Sequence, residues 1–458
     1  MKNLKFTAIL LAITLIFSGC YDNQNSSSNQ TNENVLLITD IHFDPFNSCG
    51  QIITTVSTQC VASLINQSNP ELWNFPASTP NTYGQETNNA FFTTALANLI
   101  QLASTQNITK IFITGDLLSH QFPAQFASYV PNGAQAQQTS LALNTMNYVL
   151  YQISKAVPNA KIYYIFGNND TDQADYSYPT ASFMQQVTPL LAKYMASPTN
   201  FAATFSSGGY FNMPLHSGVD VIGLNFNPLT VENNGSIQDL VVARNQLKWL
   251  SGQLEQAKNS GKRVIILQHE PFGMNAFNIA SNYTPTSGLQ TAIAQEYLSI
   301  YKQYSSIINN NYYGHYHMET IEVINNFLAL STLGFSVDFD NNPGFKILQL
   351  NSFGQLQNYT TYYTNFNNSQ FNWQELYNLN GAYNITPNEY IDFFKTKLQP
   401  TNNPNWISYV NNYSGNNNSN LTVSQMPIIS PSNWSIFYCA INNLNSSDFI
   451  QYMSNTAK

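Results

Sequence analysis

The stretch VLLITDIH, residues 35–42, joins a short apolar run to two side chains of metal-binding types. The run at 35–38 is continuous and partly β-branched, which predicts a buried β-strand. Because side chains two positions apart in a strand point the same way, Asp40 and His42 are expected to converge just beyond its end. Open α/β sheets bind ligands at that end. The pair therefore indicates a metal site, although a turn-capping Asp beside a surface His would give the same pattern.

Four further polar blocks decide between these interpretations, because each follows a run that predicts a strand. They are Gly115-Asp116-Leu117-Leu118-Ser119-His120, Gly167-Asn168-Asn169-Asp170, His269-Glu270-Pro271 and Gly314-His315-Tyr316-His317. Together with the first block they hold five of the six histidines. A Gly-Asp pair at one strand end usually forms a simple turn. The ordered set instead predicts that several strands deliver oxygen and nitrogen ligands to one edge.

Predicted strands and helices alternate between these blocks. Helices are expected at 91–103, 135–156, 181–196, 244–258 and 288–308, and strands at 110–114, 161–166, 219–224, 263–268, 319–324, 327–332 and 345–350. The run before Gly314 is the weakest of the strand signals. Such alternation predicts an α/β domain. The Asn- and Tyr-rich segment after about residue 365 contains a helix signal, in which Thr386 and Glu389 form a capping pattern.

This donor set suits two divalent metal ions held about 3.5–4 Å apart, which can grip a phosphoryl group and lower the pKa of a water between them. Asp116 is the natural bridging carboxylate, and Asn168 can offer its side-chain carbonyl. Gly115, Gly167 and Gly314 are expected to let the backbone turn sharply at the strand ends. Imidazole with carboxylate suits Zn, Mn or Fe about equally well.

The five blocks resemble those of the calcineurin-like metallophosphoesterase superfamily, and within it most closely the acid sphingomyelinase-like branch. The specific pointers are His120, four residues after Asp116, and His269-Glu270-Pro271. The resemblance covers 34 to about 350. It implies two packed β-sheets flanked by helices in a catalytic domain at 34–364, followed by a small helical C-terminal subdomain at 365–458.

The resemblance also implies a role for each matching residue. Asp40, His42, Asp116 and His317 would hold the first ion, and Asp116, Asn168, His269 and His315 the second. His120 would contact the substrate phosphate or help to protonate the leaving group. The resemblance favours Zn as the metal.

One position departs from the family pattern. Asn169 stands where the family usually has a His that touches the phosphate and is a candidate general acid. An amide can donate a hydrogen bond to an oxyanion, but it cannot deliver a proton, and loss of a general acid costs about 10²–10⁴-fold. Some endopolyphosphatase-like relatives resemble this Gly-Asn-Asn-Asp block, and His120 is the candidate to take over the role.

The N-terminus resembles an export signal. Lys2 and Lys5 precede the apolar stretch 6–17, and Ser18-Gly19-Cys20 resembles a bacterial lipobox in which Cys20 is lipidated. This predicts a signal peptide at 1–20, and then a polar tether at 21–33. The protein would be a membrane-anchored lipoprotein, periplasmic or at the cell surface, or a secreted protein if ordinary signal cleavage occurs nearby. Because export permits disulfides, Cys49 and Cys60 are the preferred pair, which leaves the partner of Cys439 open.

Composition narrows the expected substrates. Only 9% of the residues are charged and the net charge is −8, which disfavours a nucleic-acid groove. Acid sphingomyelinases carry an N-terminal lipid-presenting domain, whereas only the short tether precedes the first strand here. We therefore expect small soluble phosphoesters such as nucleotides, with sphingomyelin or polyphosphate as alternatives. A different class remains open, a catalytically weak surface protein that holds metal and binds a phosphorylated ligand.

Overall fold

The structure is a computed structural model. It describes residues 32–230, 237–271, 273–274, 289–324, 326–366, 371–398, 403–416, 434–443, 449–451 and 453–454. The expected signal peptide, the lipidation site Cys20 and nearly all of the tether lie outside the described residues. Within them, no helix has the length and apolarity to cross a membrane.

The described residues form twelve strands, numbered in chain order. They are β1 (Glu33–Ile38), β2 (Lys110–Ile113), β3 (Lys161–Tyr164), β4 (Phe211–His216), β5 (Val219–Gly223), β6 (Arg263–Leu267), β7 (Ile308–Tyr312), β8 (Ile321–Ile324), β9 (Phe327–Leu330), β10 (Gly344–Leu350), β11 (Leu356–Tyr363) and β12 (Gln374–Asn378). One six-stranded sheet has the order β12-β11-β10-β1-β2-β3, and the other β4-β5-β6-β7-β9-β8. In the first, β1, β2 and β3 are parallel, and in the second β5, β6 and β7 are parallel.

Helices cover the outer faces of both sheets. Their bounds are Pro45–Cys49, Thr55–Asn66, Asn89–Thr105, Phe122–Tyr129, Gln135–Ala156, Ala181–Ala192, Pro198–Gly208, Ile237–Asn259, Thr291–Gln303, Leu379–Tyr383, Tyr390–Asp392, Pro404–Asn412 and Trp434–Asn442. Short 3₁₀ turns lie at Pro70–Leu72, Asn227–Leu229 and Pro387–Glu389. The fold is thus two mixed sheets flanked by helices, with a helical C-terminal region, as expected.

Two apolar layers hold this arrangement together. The inner faces of the sheets share one large core, in which the ring of Phe112 on β2 lies 5.9 Å from that of Tyr312 on β7. A second core joins the other face of the β5–β6–β7 sheet to helices Ile237–Asn259 and Thr291–Gln303. Strands buried on both faces are apolar throughout, which is why their sequence runs were continuous.

The structure also differs from the sequence predictions in several elements. In the helix predicted at 91–103 the apolar pattern places Ile100 on the buried face, but Ile100 is 50% exposed. The helix predicted at 288–308 ends at Gln303, and β7 follows with the sequence Ile-Asn-Asn-Asn-Tyr. Its Asn310 and Asn311 are nevertheless buried, and Asn311 donates hydrogen bonds to Gln268 and Tyr301. A polar strand of this kind gives no hydrophobic signal.

The expected boundary at residue 364 stays a prediction. Strand β12, which lies beyond it, pairs with β11 and so belongs to the first sheet. The capping pattern forms, since Glu389 accepts hydrogen bonds from the backbone and hydroxyl of Thr386, both at 2.8 Å.

The cysteines pair in the preferred way. Cys49 and Cys60 form a disulfide between the first two helices. Cys439 is buried with a free thiol in the C-terminal region.

Candidate metal centre

Each of the five donor blocks begins two or three residues after the carboxyl end of a strand. Three follow β1, β2 and β3 of the first sheet, and two follow β6 and β7 of the second. Because these strands are parallel within each sheet, their carboxyl ends lie on one edge, and packing of the sheets brings the two edges together. The expected convergence therefore occurs across two sheets.

One group of donors forms around Asp40, His42 and His317. The Nε2 atoms of His42 and His317 are 3.1 Å apart. Asp40 Oδ1 lies 3.5 Å from His317 Nε2 and 3.9 Å from His42 Nε2. Asp116 Oδ2 completes the group at 3.4 Å from His42 Nε2.

A second group shares the same Asp116 oxygen. His269 Nε2 lies 3.1 Å from Asp116 Oδ2 and 3.0 Å from Asn168 Oδ1. His315 Nδ1 lies 3.1 Å from the same amide oxygen. The predicted metal ligands are thus brought together, with Asp116 between the two groups.

Hydrogen bonds to backbone and carboxylate oxygens orient three of the imidazoles. Nδ1 of His42 faces Leu118 O at 3.0 Å, and Nδ1 of His269 faces Thr114 O at 2.6 Å. Nδ1 of His317 faces Asp338 Oδ1 at 3.0 Å. A proton on each Nδ1 leaves the Nε2 lone pair directed at the donor groups, an arrangement characteristic of metal-binding histidines.

The residue types and spacings fit divalent metals. Two donors that bind one ion at about 2.1 Å can be at most about 4.2 Å apart. The donor–donor distances given above, from 3.0 to 3.9 Å, meet this condition. Burial, together with a neighbouring imidazole, lowers the pKa of His42 well below its usual value and that of His315 to about 3. These two rings are therefore neutral, the form that binds metals. Burial would lower the pKa of His269 and His317 as well, but Asp116 raises that of His269 and Asp338 that of His317.

The donor side chains are directed toward one another by strained backbone conformations, and not by the alternation of side chains along a strand. The strand β1 ends at Ile38, and both Asp40 and His42 lie beyond it with positive φ values of 53° and 45°. Asp116, His315 and His317 also have positive φ. The expected convergence is correct, but its predicted reason is wrong, because the side chains leave from left-handed turns. Residues held in this region cost about 1–3 kcal/mol each and cluster at functional sites.

The glycines at the strand ends act in two ways. Gly115 has φ of 101°, as its expected role in a sharp turn requires. Gly167 and Gly314 are needed for close approach, because a Cβ atom would overlap Asp116 Oδ1 at the first and Thr39 Oγ1 at the second.

His120 lies beside the first group. Its ring stacks on His42 with centroids 4.1 Å apart. Its Nδ1 lies 2.8 Å from Glu86 Oε1 and 3.3 Å from Asp338 Oδ2. Burial alone would lower the pKa of His120, but Glu86, Asp338 and Asp116 together raise it to about 10. The Nδ1 atom of His120 is thus engaged by two carboxylates, and Nε2 is the nitrogen that can interact with a substrate.

Asn169 contacts the shared carboxylate. Its backbone N–H donates to Asp116 Oδ1 at 2.8 Å, and its Nδ2 donates to Asp116 Oδ2 at 2.9 Å. The side chain is buried, and no hydrogen-bond partner is seen for its Oδ1 in the described part of the chain. The amide therefore orients a metal-ligand candidate.

Sequence reasoning missed Glu86 and Asp338. Glu86 lies in the loop before helix Asn89–Thr105, and Asp338 lies between β9 and β10, far from any donor block. A single acidic residue in a loop carries no spacing signal, so only the folded chain shows that both face His120.

Comparison with known proteins agrees with this geometry. The model of the calcineurin-like phosphoesterase family matches residues 33–318. A Dictyostelium discoideum protein named sphingomyelinase phosphodiesterase D is 25% identical, over 78% of this chain and 82% of its own length. Two Mus musculus proteins are named acid sphingomyelinase-like phosphodiesterase 3b and cyclic GMP-AMP phosphodiesterase. The first is 24% identical, over 56% of this chain and 59% of its own length. The second is 23% identical, over 54% of this chain and 58% of its own length.

The match to the family model spans more than half of the chain and includes all five donor blocks. This chain therefore belongs to the calcineurin-like phosphoesterase family of metal-dependent phosphoester hydrolases.

Proposed function

We propose that this protein is an exported two-metal phosphodiesterase acting on small soluble phosphoesters of a nucleotide-like kind. The observation that carries the proposal is the sharing of Asp116 by two donor groups, with His42 at 3.4 Å on one side and His269 at 3.1 Å on the other. A shared carboxylate between two sets of imidazoles is the arrangement that a pair of divalent ions needs.

The ligand assignment follows the two groups. Asp40, His42, Asp116 and His317 would hold one ion, and Asp116, Asn168, His269 and His315 the other. When bound, two such ions activate a water and neutralise charge on the phosphoryl oxygens. Imidazole and carboxylate donors suit Zn, Mn and Fe, and the family resemblance leads us to propose Zn.

His120 is the proposed general acid. Glu86 and Asp338 face its Nδ1 at 2.8 and 3.3 Å, so Nε2 is the nitrogen that remains to donate a proton to the leaving oxygen. Asn169 has no titratable proton and already donates to Asp116, so it is less suited to this role.

Two half-buried aromatic side chains support a nucleotide-like substrate. The Tyr176 hydroxyl lies 3.4 Å from His315 Nε2, beside the second donor group. The Phe339 ring lies 4.4 Å from that of His317, beside the first. Aromatic side chains at such positions can stack on nucleobases. One of the mouse relatives is named for a cyclic dinucleotide, which is consistent with this choice.

The first experiment combines metal content with hydrolysis. We expect about two metals per chain, and hydrolysis of bis(p-nitrophenyl) phosphate and ATP that a chelator abolishes. Asp116→Asn removes the shared charge and should abolish turnover. Retained activity in that variant would rule out the bridging role, and a purified protein without stoichiometric metal would overturn the proposal.

Sphingomyelin is the second candidate substrate, because the names of two Dictyostelium discoideum relatives and one mouse relative refer to sphingomyelin or to sphingomyelinase. A panel of a cyclic dinucleotide, sphingomyelin and polyphosphate, assayed at equal metal content, separates the candidates. The alternative of a binding protein with weak catalysis predicts tight phosphate binding with background turnover on every substrate in the panel.

Export is proposed from the N-terminal sequence alone. Mass spectrometry of the mature N-terminus tests it. A diacylated Cys20 would support the lipoprotein, a plain cleaved terminus would support secretion, and an intact Met1 would contradict export.

A further inference from the structure

A groove of about 350 Å³ lies on the second sheet, away from the donor groups. Asp220, near the start of β5, and Lys262, just before β6, line it. The donor blocks follow the opposite, carboxyl ends of the parallel strands. A ligand in this groove would therefore leave the phosphoesterase site open. The volume is within the range of small-molecule sites.

One wall of the groove is an indole held in place. Trp249, on helix Ile237–Asn259, packs against the ring of Tyr210 with centroids 4.5 Å apart. Tyr210 is buried, whereas Trp249 keeps part of its surface exposed to the groove. The indole is therefore pre-oriented, and its free surface is available to a ligand.

Most of the other side chains that line the groove are polar, with Ala203, Pro214 and Ala257 as the apolar members, and together they carry no net charge. Lys262 Nζ donates to both oxygens of Asp220, at 2.8 and 3.1 Å. Among the described residues that line the groove, Asp220 and Lys262 are the only ionisable ones. Asn212 Nδ2 donates to Gln253 Oε1 at 2.8 Å, and these amides present both donors and acceptors.

This lining excludes several ligand classes. A phosphate would need cations that are not already paired, and Lys262 is engaged with Asp220. A quaternary ammonium would need an aromatic cage or a free carboxylate, and neither is present in this lining. An apolar ligand would remove water from the Asn212–Gln253 amides and the Asp220–Lys262 pair and offer them no hydrogen bond in exchange.

We propose that the groove is a binding site for a neutral sugar, a second function that is independent of phosphoester hydrolysis. The C–H face of a pyranose would pack on the electron-rich face of Trp249, and its hydroxyl groups would exchange hydrogen bonds with Asn212, Gln253 and Asp220. The ligand is either a free sugar or a glycan chain on a surface, and both offer the same chemistry.

The test uses the full chain and follows tryptophan fluorescence and saturation-transfer NMR. The probes are glucose, galactose, mannose and N-acetylglucosamine, and an immobilised glycan array. We expect at least one sugar to bind with a Kd of about 1 mM or lower. Binding to monosaccharides would indicate free sugar as the ligand, and binding only on the array would indicate a glycan chain.

Variants connect binding to the groove. Trp249→Ala should weaken binding about tenfold, Trp249→Phe should keep most of it, and Gln253→Ala should weaken it without removing an aromatic ring. Phe353→Ala, at an aromatic residue that is 56% exposed elsewhere, is the matched control and should bind normally. Hydrolysis of bis(p-nitrophenyl) phosphate should be the same in all four variants.

Three results would overturn the proposal. One is that no sugar binds at about 10 mM in either format. Another is that a sugar binds equally well to Trp249→Ala and Gln253→Ala. The third is that adenosine or choline binds in the groove while the sugars do not.

Discussion

The Asp116 carboxylate lies between the two donor groups and also accepts hydrogen bonds. Its Oδ2 lies 3.4 Å from His42 and 3.1 Å from His269, while Asn169 donates to both of its oxygens. Burial would raise the pKa of Asp116, but the surrounding imidazoles, led by His269, hold it well below its usual value. The carboxylate is therefore ionised and ready to bridge two cations.

Asn169→Ala tests whether the amide serves Asp116 or the substrate. Loss of the hydrogen bond to a ligand of this kind costs about 10–100-fold in metal affinity or activity. We expect the variant to bind metal more weakly in isothermal titration calorimetry. Excess metal in the activity assay should restore part of its activity. Unchanged metal affinity with weaker phosphate inhibition would instead place Asn169 at the substrate, as the family pattern implies.

Asp338→Asn tests the second carboxylate that the sequence did not reveal. Asp338 faces His317 Nδ1 at 3.0 Å and His120 Nδ1 at 3.3 Å. We expect about a 10–100-fold loss in metal affinity or activity, with a larger loss on substrates that have poor leaving groups. Asp340→Asn, two residues further on, is the control. Equal losses in both variants would indicate disturbance of the loop and not of His120.

Among the elements, β10 carries the clearest buried charge. Lys346 is 1% exposed, and its Nζ pairs with Glu319 and donates to Ser331 O at 2.7 Å. Glu319 also accepts from the Tyr377 hydroxyl at 2.6 Å. This network ties β10 and β12 to the segment that follows the last donor block, so it supports the position of His317.

Lys346→Met should destabilise the protein strongly. It leaves the buried Glu319 carboxylate without its cation, which costs about 3–5 kcal/mol. Urea unfolding measures the change. The double variant Lys346→Met/Glu319→Gln removes both charges and should recover part of the loss. If the double variant is less stable than the single one, the ion pair is not the source of the effect.

At the scale of the whole molecule, the packing of two sheets creates the site. Ligand candidates come from β1, β2 and β3 on one side and from β6 and β7 on the other. Neither sheet alone holds a complete donor group, because His317 and His315 follow β7 whereas Asp40 and Asn168 follow β1 and β3. Metal binding should therefore stabilise the contact between the sheets.

Removal of metal should lower the stability of the folded chain. A site filled at about 100 times its Kd contributes about 2.7 kcal/mol. We expect a chelator to lower the urea midpoint and added metal to restore it. Asp116→Asn should show a much smaller difference between the two conditions. A chelator effect of equal size in that variant would place the stabilising metal elsewhere.

The sequence by itself determined the class of fold and indicated the candidate metal ligands. Apolar runs followed by Asp40, Asp116, Asn168 and His269 are local patterns, because strand formation and ligand chemistry depend on neighbouring residues. The same holds for helix 135–156, whose predicted bounds match Gln135–Ala156. Where a strand was polar, as in β7, the local pattern was absent and the prediction failed.

Only the tertiary structure decided how the donors are aimed and what orients them. Asp40 and His42 are directed by left-handed backbone conformations. Glu86 and Asp338 contact His120, and Asn169 donates to Asp116, although the members of each pair are far apart in the chain. These features produce no periodic pattern in the sequence. They persist because tertiary packing offsets the free-energy cost of the unfavourable local backbone conformations.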